Sequence, residues 1–584
     1  MTRKNLTAAI LAGLAGTAGL AGTAHAVNVN PDGTGQVLIY PYYTVNDGNQ
    51  TLISVVNTTD AYKAVKIRFL EGFNSREVLD FNIYMSPEDV WVAAIADSSA
   101  FGAPAGVPHI KIPDTTCTVP YLYLNASTAP GLQAFLDIAF TDTTDLGGWD
   151  YTDNGPESMR RAGEGHIEII EMGELDDVMV PDLDGDMFSL WEAIKHDETG
   201  VPGNCLLLSE LWTEAVDPFT GGIDYAGSGQ WVQESIGAES EITEDTPLGL
   251  NQEVTSGMLP NGGGLFGGAA IVNSENGTMF SYDAKALQGF DGPTTGTGGD
   301  VADGVHYRPG TIYPSLNSGN VVDATVFLTG GANPMMIAGY ANPVDAVSAA
   351  FMHDAVMNEY VVQEDLNAGT EWVITFPTKN FYTDLERMSM EGITPEDNTD
   401  PRAPFNYING LINADGARLC EVVSIQTWDR EEQTFIPEAP EGDLRPPTVS
   451  PSLPPQGSCA DFGTCPTYFQ LCNEVNVLRF GEEVVFGTPT FPPKSDSPDQ
   501  NDLSLLITVE DEFDAGWGKI DLSNDSRLDV DRVDEKLLVG LPITGFAAQE
   551  FENEFLNGGD VKANYGGLFM HKVSTMLSGG TAAP

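Results

Sequence analysis

The chain is 584 residues long, with 26 lysines and arginines against 85 aspartates and glutamates, a formal charge of −59 at pH 7. That length exceeds what one ordinary hydrophobic core organises, so two to four domains are expected. Acids spread along the whole chain argue against a nucleic-acid partner and against binding at an anionic membrane surface. They leave a solvated surface in a salty medium, plain solubility, or binding of a divalent cation such as calcium.

Met1 to Ala26 has the layout of a cleavable signal peptide. Arg3 and Lys4 open it, an Ala-, Leu- and Gly-rich run follows from Leu6, and Ala24-His25-Ala26 supplies small residues for cleavage. The run is too short and too weakly apolar to span a bilayer, and no later stretch qualifies as a transmembrane segment. Export is therefore expected, with residues 1–26 removed.

Residues 27–175 read as an N-terminal β-sandwich with an insertion. Val65, Ile67 and Phe69 alternate with Lys66 and Arg68, and Leu79, Phe81, Ile83 and Met85 alternate with polar neighbours across a Gly72–Ser75 turn. A period of two marks half-buried strands, and the pair predicts a hairpin. Strands are also expected at Val37–Tyr43, Leu52–Asn57, Val90–Ile95 and His166–Glu171, the last returning to the first sheet. Leu132–Phe140, Phe188–Ile194 and Leu206–Val216 suggest short helices, the latter two within a mixed helical and loop region at 176–255. A second β domain is expected over 256–435, opening on a hairpin around Asn276-Gly277. A proline-rich linker or long loop follows at 436–458, then a C-terminal β region at 459–584. The fold class is mainly β: immunoglobulin-like antiparallel β-sandwich domains with short helical insertions.

All six cysteines lie beyond the signal peptide, and an even count in an exported chain reads as three disulfides. Cys459 and Cys465 bracket a short loop. Cys420 and Cys472 each open an apolar run, which suits a bridge between neighbouring strands. Cys117 and Cys205 pair by elimination. A zinc site is disfavoured, because no CxxC spacing occurs and no histidine is adjacent.

Motif by motif, catalytic signals fail on context. Gly262-Gly-Gly-Leu-Phe-Gly267 fits a dinucleotide fingerprint by letter, but its apolar strand comes after the glycines instead of before. Leu541-Pro-Ile-Thr-Gly545 spells a wall-sorting signal, but an acidic segment follows it where an apolar one is required. No HxH, HExxH or GxSxG is present. The best metal candidate is Asp182-Leu-Asp184-Gly-Asp186, whose alternate carboxylates suit calcium. The EF-hand template places Gly and Glu where Met187 and Ala193 stand, so a solvated acidic turn is the stronger reading.

Gly35–Thr44, Leu52–Thr59, Thr375–Tyr382 and Ala563–Phe569 together resemble a group of long, uncharacterised exported proteins of Gram-negative bacteria. The resemblance implies an envelope or extracellular setting and supplies no activity. The reading is thus a non-enzymatic secreted or cell-surface protein. Its sandwich domains would serve extracellular assembly, adhesion or polymer binding, with other surface proteins, an extracellular polymer or further copies of itself as partners. The periplasm is the alternative location. The alternative function is a secreted hydrolase acting on an extracellular polymer, with calcium as its one suggested cofactor.

Overall fold

The computed structural model describes residues 26–120, 131–140, 156–211, 258–290, 307–393, 403–405, 421–437, 468–487, 504–523, 527–553 and 564–578, with small gaps inside several stretches. Residues 1–25, most of the expected signal sequence, lie outside them, as does nearly all of the proline-rich stretch. The chain is mainly β, with 49% strand and 12% helix, so helices are minor additions to a frame of antiparallel sheets.

Two sheets make the first layered unit. Sheet A has eight strands, in the order Asn28–Val29, Lys285–Gln288, Val37–Thr44, Glu164–Leu175, Tyr62–Glu71, Glu77–Met85 and Cys117–Val119, with Met258–Leu259 also paired to Glu164–Leu175. Its central hairpin forms as the alternation predicts, pairing Val65 with Ile83, Ile67 with Phe81 and Phe69 with Leu79. Sheet B has six strands: Thr278–Asp283, Leu265–Asn273, Asn49–Asn57, Val90–Asp97, Pro108–Lys111 and Leu132–Ala134. Ile53, Val55, Trp91 and Ile271 of sheet B pack on Tyr40, Val65, Ile67 and Phe69 of sheet A, all at most 3% exposed. The sheets approach so closely that a Cβ on Gly267 would overlap the Tyr40 hydroxyl, which donates to the Ser54 carbonyl.

The structure departs from three expectations in this unit. The hairpin at Leu265–Asp283 opens no second domain. Leu265–Asn273 pairs residue for residue with Asn49–Asn57, and Lys285–Leu287 pairs with Val37–Ile39, so this segment completes the first unit. Leu132–Ala134 is an edge strand on Pro108–Lys111, not the start of a helix, because that edge offers unpaired backbone groups. Helices do form at Leu190–Ile194 and Cys205–Glu210, shorter than predicted; Ser189 and Asn204 cap them by accepting from backbone amides.

The second unit stacks two further sheets. Sheet C runs Thr434–Phe435, Glu421–Asp429, Ala515–Asp521, Ala355–Val361, Lys572–Ser574, with Tyr468–Leu471 also on Glu421–Asp429. Sheet D runs Ser504–Ile507, Val475–Phe480, Ala368–Thr375, Thr544–Phe551, Tyr565–Met570. Trp372, Tyr360 and Phe480 fill the space between them; the Phe480 ring centroid lies 5.1 Å from that of Tyr360 and 4.9 Å from that of Trp372. The other face of sheet D packs on the first unit. Tyr42, Phe280, Tyr282, Phe486 and Phe546 form one aromatic cluster across that seam. Each such ring buries roughly 150–250 Å², so the seam is a core and not a domain contact. Backbone bonds reinforce it: Val475 N donates to Gly72 O, and the Thr375 hydroxyl donates to Pro41 O.

The polar residues alternating along Tyr62–Glu71 are not solvent-facing. All ten residues of this strand are buried. Tyr307, residues 309–318 and the helix Leu385–Met390 cover that face: Asn82 donates to Tyr307 O, Gly310 N donates to Asp80, and Arg76 pairs with Asp384 at 2.9 Å. Beneath the cover, Arg68 bridges Glu77 and Glu168 at 2.7 Å each, Lys63 meets Glu171 at 2.7 Å, and Lys66 meets Asp80. Burial alone would favour the neutral forms of Arg68 and Glu168; the facing opposite charges keep Arg68 charged and hold Glu168 below its ordinary range.

Removing one partner of such a pair strands a buried charge. Arg68→Met is expected to cost about 3–5 kcal/mol of unfolding free energy, read by denaturant titration. The double variant Arg68→Met/Glu168→Leu should be less destabilised than the sum of the single changes. Strict additivity would show that the pair is not coupled.

Candidate functional site

The metal loop predicted from sequence is only partly described. Asp182 and Asp184 lie outside the described residues, and Asp186 is exposed beside the strand Met187–Ser189, which pairs with Met179–Pro181. Among the described residues no group of three His, Cys, Asp or Glu side chains is placed to hold a metal ion. Cys117 and Cys205 are joined, tying the strand Cys117–Val119 to the helix Cys205–Glu210. Cys472 is also disulfide-bonded, whereas Cys420, Cys459 and Cys465 lie outside the described residues. The ladder of Glu421–Asp429 on Tyr468–Leu471 ends with Glu421 opposite Leu471, one residue short of the expected Cys420–Cys472 pair. Gly263 and Gly264 take φ of 73° and 81° in a turn before Leu265–Asn273, so the fingerprint-like glycines are a turn. Leu541 and Ile543 are buried, which closes the wall-sorting letters to any enzyme.

A cavity of about 340 Å³, which no sequence motif marks, lies where the edge of sheet A meets the second unit. Val326, Phe351, Ile543 and Val573 give it apolar walls; Lys285, His353, His571 and three threonines supply its polar groups. No carboxylate among the described residues lines it. His571 Nε2 donates to Val373 O at 3.0 Å, and its Nδ1 accepts from the Asn358 amide at 3.0 Å, so both nitrogens are occupied. His353 Nδ1 lies 2.9 Å from the Thr575 hydroxyl, which itself donates to Met352 O, so His353 donates through Nδ1. The ring also has a hydrogen bond to the Ser574 backbone, which works against the effect of burial. Burial, reinforced by the Lys285 charge, pushes His353 down to about 4 and His571 to about 3, so both are neutral at pH 7. Burial and the neighbouring Lys572 ammonium push Lys285 down as well, while Asp283 opposes this. One signal of the site does stand in the sequence: Ala284-Lys-Ala-Leu287 places a single lysine in an otherwise apolar run of four residues.

A second concavity, of about 800 Å³, lies at the loop end of the first unit, lined by Asn46, Asp47, Asp97, Glu275, Arg160 and Arg479 among others. Glycoside hydrolysis needs one carboxyl kept protonated beside its partner in an open cleft. Asp97 is held the other way: against the pull of burial, hydrogen bonds from Ser99 and the Gly106 amide lower it. Among the described residues burial raises Glu171 to about 7, Glu474 to about 8 and Glu550 to about 7, and none of the three lines either concavity.

Glu474 therefore acts on stability. Its raised folded value means that the fold favours the protonated form, despite the attraction of Lys379, with Glu71 and Asp384 adding repulsion. That contribution is complete below the ordinary carboxyl value. It is lost as pH rises through about 8, at roughly 1.4 kcal/mol for each pH unit between the two values. Glu474→Gln should melt close to wild type at pH 5 and clearly above it at pH 9. Equal melting temperatures of variant and wild type at both pH values would place Glu474 in contact with water.

Among the described residues no helix is long and apolar enough to cross a membrane. Comparison with protein-family models, curated proteins and solved structures finds no match, so the functional reading rests on the chain's own geometry.

Proposed function

We propose that the chain is an exported, non-enzymatic protein of the cell surface or extracellular matrix, built on immunoglobulin-like antiparallel sandwiches and assembling with further copies of itself. One observation carries this reading: the outer face of sheet B. Leu52, Val90, Val92, Phe266 and Met279 are 36–57% exposed there. The ladders set them side by side, with Val56 between Phe266 and Val90, Leu52 between Ala270 and Ala94, and Val272 opposite Met279. Of the residues that alternate outward on these four strands only Asp283 is charged, in a chain that carries 85 acids. A contiguous apolar face on a highly charged protein marks an interaction surface. The disulfide Cys117–Cys205 suits an oxidising compartment. Binding is favoured over turnover because Glu171, Glu474 and Glu550, which burial raises to about 7 or 8, lie away from both concavities.

Self-assembly through this face works against a net charge of −59. Association should therefore strengthen with salt, as the screening length falls from about 30 Å at 0.01 M to about 3 Å at 1 M. Sedimentation velocity across that range is expected to show reversible oligomers that grow with salt and concentration. Leu52→Glu/Phe266→Glu should stay monomeric throughout with an unchanged melting temperature. A wild-type chain that is monomeric at every salt and concentration would remove the support for this reading.

A further inference from the structure

We propose that the cavity at the edge of sheet A binds a small carboxylic acid with an apolar body, its carboxylate on Lys285 and its body against Val326, Phe351, Ile543 and Val573. The site is separate from the outer face of sheet B and does not depend on the assembly reading.

Lys285 differs from the other interior cations of the first unit, which are matched. Lys63, Lys66, Arg68, Arg76 and Arg161 each face a carboxylate within hydrogen-bonding distance. Lys285 is half-buried and lines a cavity, and it has no ion-pair or hydrogen-bond partner among the described residues. In a chain with more than three acids for each base, an ammonium left without a carboxylate is conspicuous. Desolvating a charge without a partner is costly, and the cost is recovered when an anion arrives. Asp283 lies near enough to be felt, but it is exposed on the outer face of sheet B and forms no bond with the ammonium.

Shape and neighbours narrow the ligand. A volume of about 340 Å³ sits at the lower end of small-molecule sites, suited to a fragment-sized compound and not to a polymer. The walls are aliphatic and aromatic, so most of the ligand is apolar. With both imidazoles neutral, the ammonium of Lys285 is the cation within the cavity, and Lys572 adds a second positive charge nearby. A neutral alcohol would leave that ammonium unmatched, and an amine would be repelled. A carboxylate accepts from Lys285 in a charge-assisted bond, which is stronger than one between neutral groups. His571 holds its neighbours and has no nitrogen to offer, so the contact rests on Lys285.

Octanoate, 1-octanol and octylammonium share an eight-carbon body and differ in the head. Calorimetric titration of the purified chain at pH 7 is expected to give octanoate at least about tenfold tighter than 1-octanol, the value of one charge-assisted bond, with octylammonium weakest. Lys285→Met keeps the apolar stem; it should bring octanoate down to the octanol affinity and leave octanol unchanged. Val573→Trp, at a 40% exposed rim position, should block both. Octanol binding as tightly as octanoate would overturn the proposal, as would octanoate affinity that survives in Lys285→Met, or no binding of either compound. The wild-type series decides even where the lysine variant fails to fold. None of these outcomes bears on oligomerisation, so the two readings fail separately.

Discussion

Both faces of sheet A are buried, and the rest of the structure answers to that constraint. A strand with apolar residues on one face and charges on the other ordinarily leaves the charged face to water. Here Tyr307, residues 309–318 and the helix Leu385–Met390 close over it, so every charge must be matched inside. Lys63, Lys66 and Arg68 meet Glu171, Asp80, Glu77 and Glu168. Arg161 meets Glu71, which also accepts from the amides of Phe73, Asn74 and Arg76 and so shapes the turn of the hairpin. Buried ion pairs add little net stability against an apolar packing of the same volume, but they penalise any register in which a charge loses its partner. The layer thus serves to fix which strand lies beside which.

Local pattern and long-range placement separate cleanly in this chain. Alternation at Val65–Phe69 and Leu79–Met85 marks the hairpin, and β-branched runs mark Val37–Thr44, Asn49–Asn57 and Val90–Asp97, because a period of two is a property of neighbours in sequence. The same alternation misleads about the environment of Lys66 and Arg68, since a polar face looks identical whether water or another segment lies over it. The hairpin at Leu265–Asp283 is visible for its Asn276-Gly277 turn, yet its membership in sheet B rests on pairing with Asn49–Asn57, more than two hundred residues away. Nothing local encodes that. Leu132–Phe140 has helical spacing of apolar residues, but its first residues are captured by an open sheet edge, tertiary pairing overriding a weak local preference.

The candidate sites are harder to read than the fold, for a related reason. Asp182, Asp184 and Asp186 stand out because carboxylates are numerous and these are regularly spaced. Abundance makes them uninformative. The informative residue is the rare one, Lys285, whose meaning appears only when the elements that bring His353, His571 and Lys572 beside it are assembled. In a chain of net charge −59, departures from the average field are the signal: one apolar sheet face with a single acid, and one cavity with a cation and, among the described residues, no acid.

The two departures share a piece of backbone. Thr278–Asp283 is the edge strand of sheet B and turns its exposed residues, Met279 and Asp283 among them, toward the outer face. At Ala284 the chain crosses the corner of the sandwich, its amide donating to Gly267 O, and Lys285–Gln288 continues as a strand of sheet A. Asp283 and Lys285 therefore lie two residues apart but belong to different sheets, one facing outward and the other facing the cavity. The corner keeps the acid out of bonding reach of the ammonium. Continued as a single flat strand, the same residues would stand on one face, where opposite charges two apart approach each other. The change of sheet at Ala284 is what leaves the lysine unmatched and the cavity cationic.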